Sequence, residues 1–292
     1  MALFGSAGIG LIDRFRTGLT LTKDSIAVIR EYPQLLLFPL LAGIASAVFF
    51  VVFLVPLVVA NLIGSGLEYV ALFGLYFVST FLSTYFTAAL VHAAHEAFHG
   101  TEPSVRDSMR AINGRLGPII LWSIIAATVS LLIKTLEESD SPFATILGVL
   151  FAIGWSIMTF FIVPVIVFED VSVGSMFSRS GSVFKDTWGE TLGAGFGISL
   201  IIMLIGIVLA AVALAVSIPI MAVFPGPGIF LAIVLVGGAI VTSYLLSQTI
   251  WGVAKTALYL FAVEGTRPEQ FQNFDFETLD GRAESAATGR VE

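Results

Sequence analysis

The sequence contains no cysteine, few charged residues and three histidines. Without cysteine there are no disulfides, iron–sulfur clusters or thiol catalysis, and the redox compartment cannot be read from the chain. Charged residues make up 12% of the chain, whereas soluble domains carry roughly 25%. This deficit, beside a hydrophobic content of 57%, excludes an ordinary water-soluble globule. No carboxylate lies near the centre of a long apolar run, which weighs against a proton- or sodium-coupled carrier.

Six apolar runs are long enough to cross a bilayer, which takes about 20 residues. They cover residues 34–63, 68–98, 117–136, 142–168, 190–223 and 228–263. Backbone amides in hydrocarbon must be bonded within the protein, and these runs are too long for barrel strands, so they are predicted to be helices. The predicted fold class is all-α: a polytopic membrane protein whose six transmembrane helices form three hairpins, each preceded by a cytoplasmic amphipathic helix.

Each hairpin follows a more polar segment with helical periodicity. These segments are residues 1–33, 104–116 and 172–188. Helices of this kind lie in the membrane interface with their cations toward lipid phosphates, or else pack on the protein's own spans. Under the first alternative the interfacial, lipid-facing residues are Arg106, Arg110, Arg115, Arg179, Lys185 and Trp188.

Two short stretches that end spans are alike. Phe98-His99-Gly100-Thr101-Glu102-Pro103 follows the second span, and Val263-Glu264-Gly265-Thr266-Arg267-Pro268 follows the sixth. We therefore predict three tandem repeats within a membrane domain, entering from the same face of the bilayer. The predicted organisation is a cytoplasmic amphipathic segment (1–33), a membrane domain (34–263, with pseudo-repeats at about 10–98, 104–168 and 172–263) and an acidic, partly disordered cytoplasmic tail (264–292).

Lysine and arginine are distributed very unevenly between the two sides of the predicted spans. Twelve lie in the N-terminal segment, the second and fourth loops and the tail, whereas Lys134 alone lies on the opposite side; Lys255 falls within the sixth run. Because loops rich in these residues stay in the cytoplasm, both termini are predicted to be cytoplasmic. The predicted location is the cell membrane, with multiple passes.

The stretch His95-Glu96-Ala97-Phe98-His99 matches a zinc-protease signature, in which two histidines one turn apart bind zinc and the glutamate activates water. With His92 a turn earlier, the candidate metal ligands are His92, His95 and His99, and Glu96 is the candidate base. A protease of this class needs a ligand from another element, and no later span supplies one. Leu279-Asp280-Gly281, which resembles a motif of intramembrane proteases, falls in the hydrophilic tail.

Three functions remain open from the residues. The first is a non-enzymatic scaffold, accessory or lipid-organising membrane component, which needs no catalytic residue or cofactor. The second is a transporter or pore for a small or apolar solute. The third is the zinc-dependent protease, in which zinc is the cofactor. The predicted partners are the lipid bilayer and other membrane proteins, and no basic face suggests nucleic acid.

One series of residues carries a resemblance to a known family. It runs from Gly154-Trp155-Ser156-Ile157-Met158-Thr159-Phe160-Phe161-Ile162-Val163-Pro164-Val165 to Arg179-Ser180 and Thr187-Trp188-Gly189-Glu190, with Tyr32-Pro33 and Phe38-Pro39 near the start. The chain resembles a family of uncharacterised six-span prokaryotic integral membrane proteins, largely haloarchaeal, over roughly Leu11 to Pro268. The resemblance implies a membrane-embedded helical fold and brings no activity, cofactor or catalytic residue.

Overall fold

The computed structural model describes residues 18–59, 68–186, 188–265, 267–271 and 274, and across them the regular structure is helical. Helix α1 covers 18–31 and is followed by a 3-10 turn, Pro33–Leu36. The remaining helices are α2 (Leu37–Val59), α3 (Glu68–Phe98), α4 (Val105–Asn113), α5 (Leu116–Glu137), α6 (Pro142–Met158), α7 (Ile162–Phe168), α8 (Val173–Asp186), α9 (Trp188–Val223) and α10 (Pro225–Glu264).

Six stretches of helix are long and apolar enough to cross a membrane. They are Pro33–Phe53, Tyr69–Phe98, Leu116–Glu137, Pro142–Phe168, Ile198–Val223 and Pro225–Glu264. Large apolar side chains on these helices face outward, among them Val52 (66% exposed) and Phe143 (71%). Such an outer surface suits hydrocarbon rather than water. The all-α membrane class with six spanning helices is confirmed, whereas residues 1–17, 60–67 and most of the tail lie outside the described part.

The fourth span is interrupted, although its sequence predicts one continuous helix over 142–168. Helix α6 ends at Met158, and α7 begins at Ile162 after a short turn. Pro164 has no backbone N–H to give, and it occupies the first turn of α7, where a helix needs no such donor. A proline in this position favours restarting the helix over continuing it.

The two similar stretches that end α3 and α10 also share a backbone conformation. Gly100 and Gly265 both have a positive φ, 69° and 67°, which L side chains rarely adopt. After α3, the N–H of Thr101 donates to the carbonyl of Glu96, a bond typical of helix ends that have a glycine in the left-handed conformation. The two glycines therefore share a left-handed backbone conformation just after their helices end.

The chain divides into two compact units. One comprises Leu37–Asp186 with Tyr259–Thr266, and α3 is its central helix, packed against α2, α4, α5 and α7. At the contact of α3 with α5, the buried Trp122 Nε1–H donates to Thr84 Oγ1 at 3.1 Å. Trp122 also stacks on Trp155 of α6, with ring centroids 5.7 Å apart. Phe177 of α8 lies against both rings, so these aromatics join α5, α6 and α8.

The other unit comprises Met1–Leu36, Thr187–Leu258 and Arg267–Glu292, of which the described parts include α1, α9 and most of α10. Helix α1 buries Leu21, Ser25 and Val28 and exposes Lys23 and Arg30. Between α9 and α10 a single residue, Phe224, makes the turn. The two helices approach closely at this turn, since a Cβ at Gly228 would lie 2.4 Å from the Met221 backbone.

Candidate functional site

We call the unit that comprises Leu37–Asp186 with Tyr259–Thr266 the first unit. Its polar residues gather where several helices end. There the histidines at the end of α3 lie near Phe168, the last residue of α7, since the rings of His95 and Phe168 have centroids 5.0 Å apart. Phe168 in turn stacks on Tyr259, near the end of α10. The helices α4 and α8 contribute to the same region. We call this region the polar end of the unit.

Glu169 is the centre of the strongest interactions at the polar end. It directly follows α7, its side chain is 19% exposed, and its Oε1 accepts a hydrogen bond from Arg179 Nε of α8 at 2.7 Å. The same oxygen accepts the Tyr259 hydroxyl of α10 at 2.5 Å. A mostly buried carboxylate is costly unless it is paired and hydrogen-bonded, and these two donors satisfy it. One carboxylate thus joins α7, α8 and α10.

Arg115, just before α5, fastens the turn between α7 and α8. Its Nη1 donates to Asp170 Oδ1 at 3.2 Å and to the Glu169 carbonyl at 3.4 Å. The Asp170 side chain is fully exposed, so its ion pair is screened by water. The bond to the carbonyl satisfies a backbone acceptor beyond the end of α7, where a helix leaves its carbonyls unpaired.

The beginning of α7 is held by a serine of α8. Ser180 Oγ accepts the N–H of Phe161 at 3.1 Å, and both residues are fully buried. A helix start has N–H groups without partners inside the helix, and in hydrocarbon no water replaces them. Ser180 therefore supplies the acceptor that the break in the fourth span requires.

The histidines of the zinc-protease signature lie at the end of α3. The rings of His95 and His99 have centroids 4.3 Å apart, and His99 Nδ1 lies 2.8 Å from the His95 carbonyl. Because a carbonyl only accepts, His99 Nδ1 is the donor in this bond. His92 Nδ1 is 3.8 Å from Glu96 Oε2, and that oxygen accepts the Ser108 hydroxyl of α4 at 3.3 Å.

No group of three histidine, aspartate or glutamate side chains is placed to hold a metal ion among the residues that the structure describes. His92, His95 and His99 are neighbours at the end of α3, and their role as zinc ligands stays a prediction. Glu96, the glutamate of the signature, accepts the Ser108 hydroxyl of α4. The Leu279-Asp280-Gly281 stretch lies outside the described residues.

The cations predicted to face lipid fall into two groups. Arg106, Arg110 and Lys185 are exposed on α4 and α8. Arg115 and Arg179 are half-buried and bind acidic groups beyond the end of α7. The side chain of Trp188 lies outside the described part. On their inner faces both helices pack on the unit's own spans, through buried Ser108 and Ile112 in α4 and Met176 and Phe184 in α8.

Three residues of the first unit were missed by reasoning from sequence: Glu169 and Tyr259 at the polar end and Thr84 in the middle of α3. Glu169 had one available signal, since it is the first acidic residue after a long apolar run, a position typical of a helix end. Tyr259 and Thr84 look like ordinary residues of a membrane helix. Tyr259 is 90 positions from Glu169, and no local pattern indicates that pairing.

The helical bundle, its apolar exterior and its polar helix ends define a polytopic membrane protein. The profile of a family of unknown function, DUF6159, matches residues 66–269, which is more than two thirds of the chain, and the protein belongs to that family. The matched range includes the interrupted fourth span and the Arg179-Ser180 pair, whereas the Tyr32-Pro33 and Phe38-Pro39 pairs of the resemblance precede it. No curated protein and no solved structure matches the chain.

Proposed function

We infer that this protein is a non-enzymatic membrane component, acting as a scaffold, an accessory subunit or an organiser of lipid. The observation that supports this most is that its buried polar groups bind one another. Glu169 and Arg179 bind each other and a third helix through Tyr259. A catalytic or transporting carboxylate has to meet a substrate, whereas the Oε1 of this one is taken by two donors from its own chain.

The test is transport by the full-length protein in liposomes. Purified protein is reconstituted with panels of small ions and neutral solutes, and fluxes are compared with protein-free liposomes and with a Glu169→Gln variant. The proposal predicts equal, background flux in all three. A flux above background that the variant loses would replace the scaffold by the transporter, with Glu169 in its path.

The zinc protease is the remaining alternative, and the closeness of the His95 and His99 rings is the observation in its favour. Zinc bound there would require a third ligand in addition to these two. Protein purified without a histidine tag is analysed for metal beside His95→Ala and His99→Ala variants. The scaffold proposal predicts no stoichiometric zinc in any of them. One zinc per chain that is lost in both variants would favour the enzyme.

We also propose that the polar end of the first unit faces the cytoplasm of the cell, together with both termini. Arg115 and Lys134 lie at opposite ends of α5, about 28 Å apart along the helix axis, close to the thickness of the hydrocarbon core. Because the chain lacks cysteine, single substitutions can be labelled without background. An impermeant maleimide added to whole cells should label Asp140→Cys and spare Ser182→Cys; the reverse pattern would invert the topology.

A salt-adapted prokaryotic source fits the composition. The net charge is −7, and ten arginines accompany four lysines. If the source is halophilic, the unfolding temperature of the purified protein should rise as KCl is raised into the molar range. A temperature that stays constant or falls would count against that origin.

A further inference from the structure

Two adjacent residues of α8 hold the two ends of α7. Ser180 accepts the N–H of Phe161 at the start of α7, and Arg179 donates to the Glu169 carboxylate at its end. Helix α7 is seven residues long, about 10 Å at 1.5 Å per residue. An arginine side chain and a neighbouring serine therefore reach both ends from one turn of α8, and the two helices are fastened as a pair.

The link between α7 and α6 is of a different kind. At the end of α6, both the N–H and the hydroxyl of Thr159 donate to the Trp155 carbonyl, so these bonds stay within the last turn of the helix. The Ile162 N–H turns back to the Thr159 carbonyl at 3.1 Å. The chain between the two helices is thus a short turn whose bonds are local, the type of segment that absorbs changes in φ and ψ at a hinge.

One hydroxyl of α10 makes a directional bond to the pair. Tyr259 donates to Glu169 Oε1, and its ring also packs on Phe161 and Phe168, at centroid distances of 6.2 and 5.7 Å. The ring contacts are apolar and tolerate small displacements, whereas the hydrogen bond fixes both distance and direction. Removing the hydroxyl alone leaves the packing in place and removes the directional restraint.

We propose that α7 and α8 shift as one element about the turn at 159–161, and that the hydrogen bond of Tyr259 to Glu169 restrains this element together with the Arg115 bonds and the packing of Phe177 on Trp122 and Trp155. The device is independent of the function proposed above. It makes α8, which presents the exposed Ser182 and Lys185 at the polar end, the part whose position changes when the bond is broken. A group that binds the Glu169 carboxylate in place of the Tyr259 hydroxyl would release the α7–α8 element.

The experiment measures a distance across the polar end in full-length protein in lipid nanodiscs. Spin labels are placed at Ser182→Cys on α8 and Arg110→Cys on α4, both exposed positions within one unit of a chain that lacks cysteine. Pulsed electron resonance gives the distance distribution. Tyr259→Phe is the test, and Tyr244→Phe, the same change at a half-exposed position of α10, is the matched control.

The expected result is a second, displaced peak in the distance distribution of Tyr259→Phe. Its population should be about ten times that in the parent, the change that fits loss of one hydrogen bond to a charged group. The Tyr244→Phe distribution should match that of the parent. An unchanged distribution in folded Tyr259→Phe, even with lowered stability, would overturn the proposal and leave the bond a static support. If Tyr259→Phe does not fold, Glu169→Ala, which removes the acceptor of the Tyr259 hydroxyl, is labelled in the same way, and an unchanged distribution there likewise overturns the proposal.

Discussion

Replacing Ser180 by alanine tests how much the break in the fourth span depends on α8. The change removes the acceptor of the Phe161 N–H, and because both residues are fully buried, that N–H is left without a partner. An unsatisfied buried donor costs about 1–3 kcal/mol. Alanine regains a few tenths of a kcal/mol of helix propensity over serine. The burial term is larger, so we expect a net loss of about 2 kcal/mol in the free energy of unfolding.

The matched control is Ser178→Ala, two residues earlier on the exposed face of α8. Its hydroxyl donates to the Ser175 carbonyl within the same helix, so its removal orphans no buried donor. The assay is unfolding in mixed micelles as the sodium dodecyl sulfate fraction rises, followed by near-ultraviolet circular dichroism of the stacked Trp122 and Trp155. Ser178→Ala should stay within about 0.5 kcal/mol of the parent. If Ser180→Ala were equally stable, the role given to its hydroxyl would be wrong.

Three further changes use the same unfolding assay. Glu169→Gln removes the charge from a mostly buried carboxylate that accepts two hydrogen bonds, and it should lower the free energy of unfolding by about 1–3 kcal/mol. Asp170→Asn, at the fully exposed neighbour, should leave the unfolding midpoint unchanged. Equal effects of the two changes would refute the role given to Glu169. Gly228→Ala should prevent the α9–α10 turn from closing, because a Cβ there would lie 2.4 Å from the Met221 backbone, while Gly226→Ala meets nothing within 4 Å and should behave as the parent. Thr84→Val keeps the volume but removes the acceptor of the α5 indole, so it should cost about 0.6–1 kcal/mol and alter the near-ultraviolet spectrum; an identical spectrum would contradict that bond.

The spanning helices were predictable because run length is a direct physical requirement of the bilayer. The second and third runs end within a residue of α3 and α5. The last helix begins at Pro225 rather than at 228, since proline is well suited to the first turn of a helix and the glycines after it continue the turn. Pro164 indicates a break near the end of the fourth span, but the acceptor that makes the break tolerable comes from α8 and is not visible in the span's own residues.

The candidate site was predicted only in part. Arg179 was expected to matter because it lies on the polar face of an amphipathic helix, but its carboxylate partner is set by tertiary packing. The two similar stretches, by contrast, were visible in the sequence, and their glycines Gly100 and Gly265 share a positive φ, which glycine adopts readily; the tandem repeats stay a prediction. Local backbone requirements leave a mark on the sequence, whereas side-chain partners from distant helices do not.

Gly100 and Gly265 lie within two residues of the last residues of α3 and α10. The signal that ends each of these helices is therefore local in sequence. A side chain added at either glycine would strain the backbone at that helix end, since L residues rarely adopt its φ. The ends of the two helices can thus be perturbed one at a time by a single substitution.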